Sequence, residues 1–483
     1  MNINLKYLNN YKTALFIVLI LGCFFSFWKL GQTDIREWDE ARRGVNALEM
    51  IERGDYINYY YAGEIDTWNA KPPLAIWTIV LSYKIFGYNS FALRFPSAMA
   101  IVLLVLVCFH IISLYRQPWQ ALFTCLILLS FKGIVGHHVG RTGDTDALFI
   151  LFLTLSCYFF LLYVDFEKPF AIILTAICLG FAYYTKGFAS FLFFPGAVLY
   201  IILNQKRRCL LANKRTLMGA MIFLTFIFSW VLLNILYGQG FPQKTLTGES
   251  RLHTMVFYDV FKRLFSSNFE GGDVYGPLFI FPVSELTMGL WSYIFWFFTA
   301  YLIMKMVVKK MNPLCLVHSD KLRLFIFSVV FSLPIVLILS IARNIHTWYI
   351  APALPFFAIM ISEGICYFTR KFTPASYLFA GLLIITSVIR FHSNNSPRTC
   401  LQEFFDKNES KIELAKKIIL LDKVPQSFYL YLAWSGKPVF YYNSKAEICI
   451  KNLYLGKENN VLMDKLTLEK VDCFSDYCFA KVQ

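Results

Sequence analysis

Charge is scarce in this chain. Only 16% of its 483 residues are Asp, Glu, Lys or Arg, against 57% hydrophobic and 18% aromatic, and the mean hydropathy is +0.53. A soluble domain carries about 25% charged residues, so this composition puts the bulk of the chain in lipid. Acidic residues are scarcer still, 31 against 46 basic, a formal net charge of +15. The basic residues fall in short clusters between apolar runs, as in the cytoplasmic loops of membrane proteins, which argues against nucleic acid as a partner. Closely spaced cysteine pairs are missing: none of the 12 cysteines forms a CxxC pair or a zinc-finger spacing. Cys108, Cys125, Cys157 and Cys178 stand singly in apolar runs and read as small buried hydrophobes. Only the tail differs, where Cys400, Cys449, Cys473 and Cys478 allow three pairings. A disulfide there needs an oxidising compartment. Lys6 and Lys12 precede the first apolar run, and no small-residue cleavage site follows it, so it reads as a retained anchor.

What the chain has is long apolar runs. About eleven segments reach spanning length by the roughly 17–25 residue rule, at 11–28, 91–115, 119–135, 147–164, 170–184, 188–203, 217–237, 288–308, 322–341, 348–368 and 375–389. The run 72–87 is short and carries Lys84, so it reads as a helix at the membrane surface. With the N-terminus inside, Arg116, Lys206, Arg207, Arg208, Lys214, Arg215, Lys309, Lys310, Lys321, Arg370 and Lys371 all fall on one side. That satisfies the positive-inside rule, and making 72–87 a span would break it.

The expected fold is therefore an α-helical polytopic membrane protein with about eleven transmembrane helices and surface helices in its first outer loop. Residues 1–390 form the membrane domain, with outer loops 29–90, 136–146 and 238–287. Residues 391–483 form a small α/β domain on the same outer side. Its strand signals lie at 427–434, 438–442 and 461–464, and a helical stretch at 409–421.

Candidate functional residues gather on that outer face. The first loop reads Trp38-Asp39-Glu40-Ala41-Arg42-Arg43, then, about thirty residues on, Asn69-Ala70-Lys71-Pro72-Pro73. Residues 41–53 have a helical apolar stripe in Val45, Leu48, Met50 and Ile51, which sets Asp39 at the helix start with Arg42 and Arg43 one turn along. Carboxylates beside fixed cations suit an enzyme that handles a phosphate and deprotonates an acceptor. An ordinary helix-start acid is the bland alternative. Lys71, at the edge of a proline-started helix, suits a phosphate, or is a snorkelling interfacial lysine.

The turn His137-His138-Val139-Gly140-Arg141-Thr142-Gly143-Asp144-Thr145-Asp146 is unusually polar for a link between spans. Adjacent histidines are poor joint metal ligands, and Asp146 reads better as a hydrogen-bond acceptor. Lys186, Arg343, His346, Trp348 and Tyr349 lie at other span ends. Each adds a potential phosphate or sugar contact, although Trp and Tyr also populate any membrane interface.

Taken in order, these motifs resemble a known family. They are Asp-Glu-x-Arg after the first span, Lys-Pro before a surface helix, Asp-Ala-Leu opening a span, and Thr-Lys-Gly-Phe. Gly-Pro-Leu-Phe-Ile-Phe-Pro (276–282), Gly-Leu-Trp (289–291) and Trp-Tyr-Ile-Ala-Pro-Ala-Leu-Pro (348–355) complete the series. The chain resembles, over nearly its whole length, the bacterial branch of the protein O-mannosyltransferase and lipid A aminoarabinose transferase superfamily, of the membrane glycosyltransferase C fold. The resemblance implies an inner-membrane enzyme that moves one sugar from a polyprenyl phosphate to a lipid or protein acceptor on the periplasmic face.

It also implies roles. Asp39 matches the catalytic acid, Arg42 and Lys71 the cations that hold the donor phosphate, Asp146 the acid of the second turn, and Lys186 the lysine between the fifth and sixth spans. Glu40, Arg43, Arg141, Arg343, His346 and Tyr349 join the expected substrate-binding set. One departure concerns zinc. Where the aminoarabinose transferases carry a glutamate ligand this chain has Ala70, and their histidine ligand falls near Val260 or Phe261. That leaves no certain cofactor, with His253 as a substitute ligand and a divalent metal as the open alternative. A monomer is expected. A flippase of lipid-linked sugars would show internal repeats and polar groups at midplane, and neither is evident; an oligosaccharide ligase would share the outer-face site.

Overall fold

The computed structural model describes residues 5–66, 69, 71–136, 138–238, 279–308, 322–342, 346–369, 381, 400–421, 423–441, 452–457, 468–474 and 477–482. They form two compact units. One is helical, comprising Met1–Trp28, Thr67–Ala75 and Pro96–Asn394; the other is mixed, comprising Lys29–Asp66, Ile76–Phe95 and Asn395–Gln483.

The helical unit is a bundle of apolar helices, and the chain is a multi-pass membrane protein. Among the described residues, 7 helical segments are long and apolar enough to cross a membrane, and Leu74–Phe86 and Pro118–Leu129 are shorter apolar helices. The run 375–389 lies outside the described residues apart from Gly381. The run 119–135 is not one straight helix. Pro118–Leu129 ends, Phe131 is extended, and Lys132–Val135 makes a separate turn. At that turn a side chain on Gly133 would meet Leu354 and Thr287 at 2.7–2.8 Å, so close packing demands the glycine. Ala171–Lys186 and Phe193–Leu203 are distinct helices joined through Gly187 and a 3-10 stretch, Gly187–Leu192.

Polar clasps tie helix ends together. The buried Asp165 accepts hydrogen bonds from the Tyr115 hydroxyl at 2.5 Å and the Tyr200 hydroxyl at 2.7 Å. Arg116 grips Glu363 with two parallel bonds of 2.6–2.7 Å, and Gln120 adds a third at 2.8 Å. Bonds to ionised groups are worth about 1.5–3 kcal/mol each, enough to fix helix ends that apolar contacts alone would let slide.

In the mixed unit the helix Asp39–Arg53 buries Val45, Leu48 and Met50 of the expected stripe, with Ile51 half-buried, and stops at Gly54 in the left-handed conformation (φ 67°). Asp55 then closes a turn by accepting from the amides of Ile57 and Asn58 at 3.0 and 3.2 Å. A short hairpin, Tyr60–Tyr61 with Glu64–Ile65, follows. The tail folds as a five-stranded sheet in the order Val439–Tyr441, Lys417–Leu420, Asn452–Lys457, Tyr477–Val482, Leu468–Phe474. The first three strands run parallel and the last two pairings are antiparallel. A Cys473–Cys478 disulfide ties the last two strands.

The tail does not build its core alone. Phe404, Phe405, Phe428, Leu430 and Phe479 share one apolar cluster with Val45, Leu48, Ile79 and Tyr83.

Two elements of the tail differ from expectation. Residues 427–434 lie in a helix, Gln426–Trp434, not a strand. Their β-prone aromatics are overridden by burial of Phe428, Leu430 and Leu432. The helical stretch ends at Leu414, and Lys417–Leu420 is a strand with Ile418 and Leu420 buried. Residues 461–464 lie outside the described residues.

Two outcomes follow. A Cβ at Gly44 would sit 2.6 Å from the buried Leu430 and 3.2 Å from the Tyr83 hydroxyl. Gly44→Val is therefore expected to cost about 1–3 kcal/mol by overpacking, read as a lower Tm of the detergent-purified chain. The second concerns acid. Burial pushes the Asp55 carboxyl up, but bonds from Asn58, the Ile57 amide and the Tyr60 hydroxyl outweigh it and hold the carboxyl below its ordinary 3.8. A lowered folded pKa gives stability that is present above the unfolded value and lost as pH falls through the folded one. The Tm of Asp55→Ala should thus fall less steeply than wild type below about pH 4.

Candidate functional site

The first loop is organised around Arg94. This side chain, 1% exposed, donates to the carbonyls of Leu30 at 3.1 Å, Thr33 at 2.8 Å and Asp34 at 2.6 Å, and to the Thr33 hydroxyl at 2.8 Å. Its other edge takes both oxygens of Glu40, at 2.6 and 3.0 Å. Glu40, itself 1% exposed, also accepts from the Arg36 amide at 2.8 Å. Glu40, expected among the substrate contacts, has its oxygens held by buried partners and braces the loop. Arg94 was overlooked, although an arginine four residues into an apolar helix was a legible signal.

Between these anchors the chain turns sharply. Trp38 has φ 66° and ψ −103°, outside the regions that side chains normally occupy, and its indole is 66% exposed. Asp39 follows, its side chain 42% exposed, with Arg43 at 3.4 Å. Arg42 was expected to hold the donor phosphate. It holds Asp66 by two parallel bonds of 2.7 Å, and Asn46 joins the pair by donating to Asp66 at 3.1 Å and to the Tyr60 carbonyl at 2.7 Å. Arg42 thereby closes the loop over 24 residues rather than presenting that edge to a phosphate. Arg43 is buried beside Asp39.

The helical unit carries a second polar cluster. Asp146 begins the helix Asp146–Val164, where an acid suits the helix dipole, and pairs with Lys186. The Lys186 ammonium lies 5.2 Å from the Tyr349 ring centre and 5.8 Å from that of Phe149. Gly187, at φ 59°, turns the chain directly after Lys186, and a Cβ there would stand 3.6 Å from Pro72. The Lys71-Pro72 and Lys186-Gly187 motifs, 115 residues apart in sequence, thus meet in one place, with Lys71 half-buried.

The Gly136–Asp146 turn folds inward. Asp144 accepts from the Thr142 hydroxyl at 2.7 Å and lies 3.3 Å from His138 Nδ1. Arg141 is buried and reaches the Phe25 carbonyl at 3.3 Å. His138 stacks on Trp348 at 3.6 Å and His346 stacks on it at 4.3 Å, both nearly parallel. Two rings this close to one indole cannot share a face, so Trp348 lies between them. Arg343, expected beside them, lies outside the described residues, as do Ala70, His253, Val260 and Phe261, on which the expectation about zinc turns.

Comparison with known proteins decides what kind of scaffold this is. Residues 70–232 match the family described as dolichyl-phosphate-mannose-protein mannosyltransferase. The undecaprenyl phosphate-alpha-4-amino-4-deoxy-L-arabinose arabinosyl transferase of Yersinia pestis is 32% identical over 174 residues, 35% of this chain and 31% of that protein. A protein of Aquifex aeolicus is 28% identical over 349 residues, 72% of this chain and 63% of its own length. The matches thus span less than two thirds of these relatives. Among solved structures, ArnT from Cupriavidus metallidurans bound to undecaprenyl phosphate aligns with TM-score 0.69 over 97% of both chains, at 14% identity. Over residues 70–232 the chain is thus similar to the protein O-mannosyltransferase and aminoarabinose transferase superfamily. Its fold is the glycosyltransferase C fold, which the Archaeoglobus fulgidus oligosaccharyltransferase shares more distantly, with TM-score 0.54, 10% identity and 89% of this chain against 64% of that one.

The buried Glu40–Arg94 pair gives a direct test of how the loop is built. Removing one partner strands a charge, so Glu40→Ala is expected to cost about 3–5 kcal/mol. Glu40→Met with Arg94→Met removes both charges and should cost less than the sum of the single changes, read as Tm values in a double-mutant cycle.

Proposed function

We propose that this chain is a membrane glycosyltransferase that moves one sugar from a polyprenyl-phosphate donor to a lipid or protein acceptor. The observation that carries the reading is the exposed Asp39 carboxylate, mounted between the Glu37 and Glu40 anchors, on a chain with this fold. The relative from Yersinia pestis is named for transfer from undecaprenyl phosphate, and the same donor class suits the cations found here.

The reaction is a single displacement. The acceptor oxygen forms a bond to the anomeric carbon as the bond from that carbon to the phosphate oxygen breaks, so the anomeric centre inverts. Asp39 accepts the proton of a hydroxyl acceptor; with a phosphate acceptor it only orients groups. The leaving polyprenyl phosphate departs as a dianion, and Lys71 and Lys186 neutralise its charge, the kind of stabilisation that counts most in a water-poor site. Asp146 holds Lys186 in place, while Tyr349, His346 and Arg141 line the same end of the bundle.

The site and the tail face the periplasm in this reading, across a bacterial inner membrane, with the protein acting as a monomer. The basic clusters at 206–215, 309–321 and 370–371 support the orientation through the positive-inside rule. The Cys473–Cys478 disulfide supports it through the oxidising compartment it requires. Residues 391–483 would then form a periplasmic domain that completes the core behind the first loop. A flippase is disfavoured because the polar groups cluster at helix ends rather than at midplane.

Asp39→Asn is the test. Membranes holding wild type or the variant are given a pool of polyprenyl-phosphate monosaccharides, and mass spectrometry follows release of polyprenyl phosphate and labelling of acceptors. With a hydroxyl acceptor the variant is expected to lose about 10²–10⁴-fold in rate while still binding donor. Full activity would remove Asp39 from the mechanism.

A further inference from the structure

Trp38 has an unusual backbone for a bulky residue. At φ 66° and ψ −103° it occupies a conformation that a bulky side chain avoids. Two glycines of this chain adopt a similar turn. Gly187 (φ 59°, ψ −131°) and Gly289 (φ 61°, ψ −133°) take closely similar conformations at two other helix boundaries. At position 38 the corresponding turn carries the largest side chain available, and burial does not compensate for it, since the indole is 66% exposed.

The corner is forced from both sides. Before it, Glu37 caps the helix Gln426–Trp434, accepting from the amides of Gln426 at 2.8 Å and Ser427 at 3.2 Å and from the Ser427 hydroxyl. Behind it, Glu40 is locked onto Arg94. The Trp38 carbonyl still opens the following helix by accepting from the Arg42 amide at 2.9 Å. Strain persists where the surroundings over-determine it, and such outliers concentrate where a side chain must be presented to a ligand.

We infer that Trp38 is a substrate-contacting residue whose indole face receives the C–H face of the donor sugar, beside the Asp39 carboxylate. An exposed flat aromatic next to an exposed acid matches a pyranose, which offers an apolar face to the ring and hydroxyls to the carboxylate. Phosphate and prenyl chain would be recognised elsewhere. The inference rests on the proposed transferase reading and names the group that reads the sugar within it.

Three variants of the full chain separate the alternatives: Trp38→Gly, which relieves the turn and removes the ring; Trp38→Leu, which stays apolar and strained; and Trp38→Phe, which keeps an aromatic face. For each, Tm, kcat and KM for the lipid-linked sugar are measured, together with inhibition by sugar-free polyprenyl phosphate. Trp38→Gly should leave Tm unchanged or higher. The Gly and Leu variants should raise donor KM about tenfold, the scale of one aromatic stacking contact, while Trp38→Phe stays within about threefold. Inhibition by polyprenyl phosphate should not change. Unchanged KM in all three would mark Trp38 as an ordinary interfacial aromatic and overturn the inference. Full function in Trp38→Leu, or weaker polyprenyl-phosphate inhibition in Trp38→Gly, would assign the ring to the lipid instead and overturn it too. Loss of transfer in Asp39→Asn with normal KM throughout the Trp38 series would leave the transferase reading standing while this inference falls. A wild-type chain that transfers no sugar removes both.

Discussion

A single arginine, buried to 1% exposure, orders the loop from Leu30 to Glu40. Arg94 bonds three backbone carbonyls, one hydroxyl and both oxygens of Glu40. A guanidinium in such a place is tolerable only when its donors find acceptors, because an unpaired buried charge costs several kcal/mol. The loop therefore has little freedom. Once its carbonyls are gathered around Arg94, the chain must reverse before the helix Asp39–Arg53 can start, and Trp38 takes up the reversal in a conformation it would otherwise avoid. Asp39 then sits at the head of a helix buried against the tail's aromatic core, with its own carboxylate half-exposed beside Arg43. The rigidity of that corner gives the carboxylate a fixed direction.

The helical unit solves a related problem with different parts. Its interior is almost wholly apolar, so charged groups concentrate where helices end. Lys186 is the centre of one such end, paired with Asp146 and lying against the rings of Tyr349 and Phe149. The strained Gly187 lets the chain leave that lysine and pass close to Pro72. Nearby in the fold, Trp348 is clasped by two imidazoles and Asp144 is tied to His138 and Thr142. A lysine held by an acid and two aromatic rings is positioned before any ligand arrives, so the cost of ordering it is not charged to binding.

Much of this was legible in the sequence, for identifiable reasons. Apolar runs announce spans because lipid permits little else, and the stripe of Val45, Leu48 and Met50 announced the first-loop helix. Asp39, Asp146, Lys186, His346 and Tyr349 stood out as polar or amphipathic groups at span ends. What stayed hidden depends on partners far along the chain. Glu40 finds Arg94 across 54 residues and Arg42 finds Asp66 across 24, so the bracing part these two residues play could not be read from the sequence. Gln426–Trp434 read as a strand because its aromatics favour sheets, and only the apolar cluster it joins and the Glu37 cap make it a helix. The strain at Trp38 has no sequence signature at all, since tryptophan predicts nothing about φ.

The central claim is that a bond between a sugar and a lipid phosphate is broken here. Purified wild-type chain in proteoliposomes, supplied with an isotope-labelled polyprenyl-phosphate sugar and its acceptor lipids, should release polyprenyl monophosphate one-for-one with label appearing on the acceptor, with the anomeric configuration inverted. Labelled donor that crosses between leaflets with its sugar–phosphate bond intact, and with no acceptor labelled, would contradict the account.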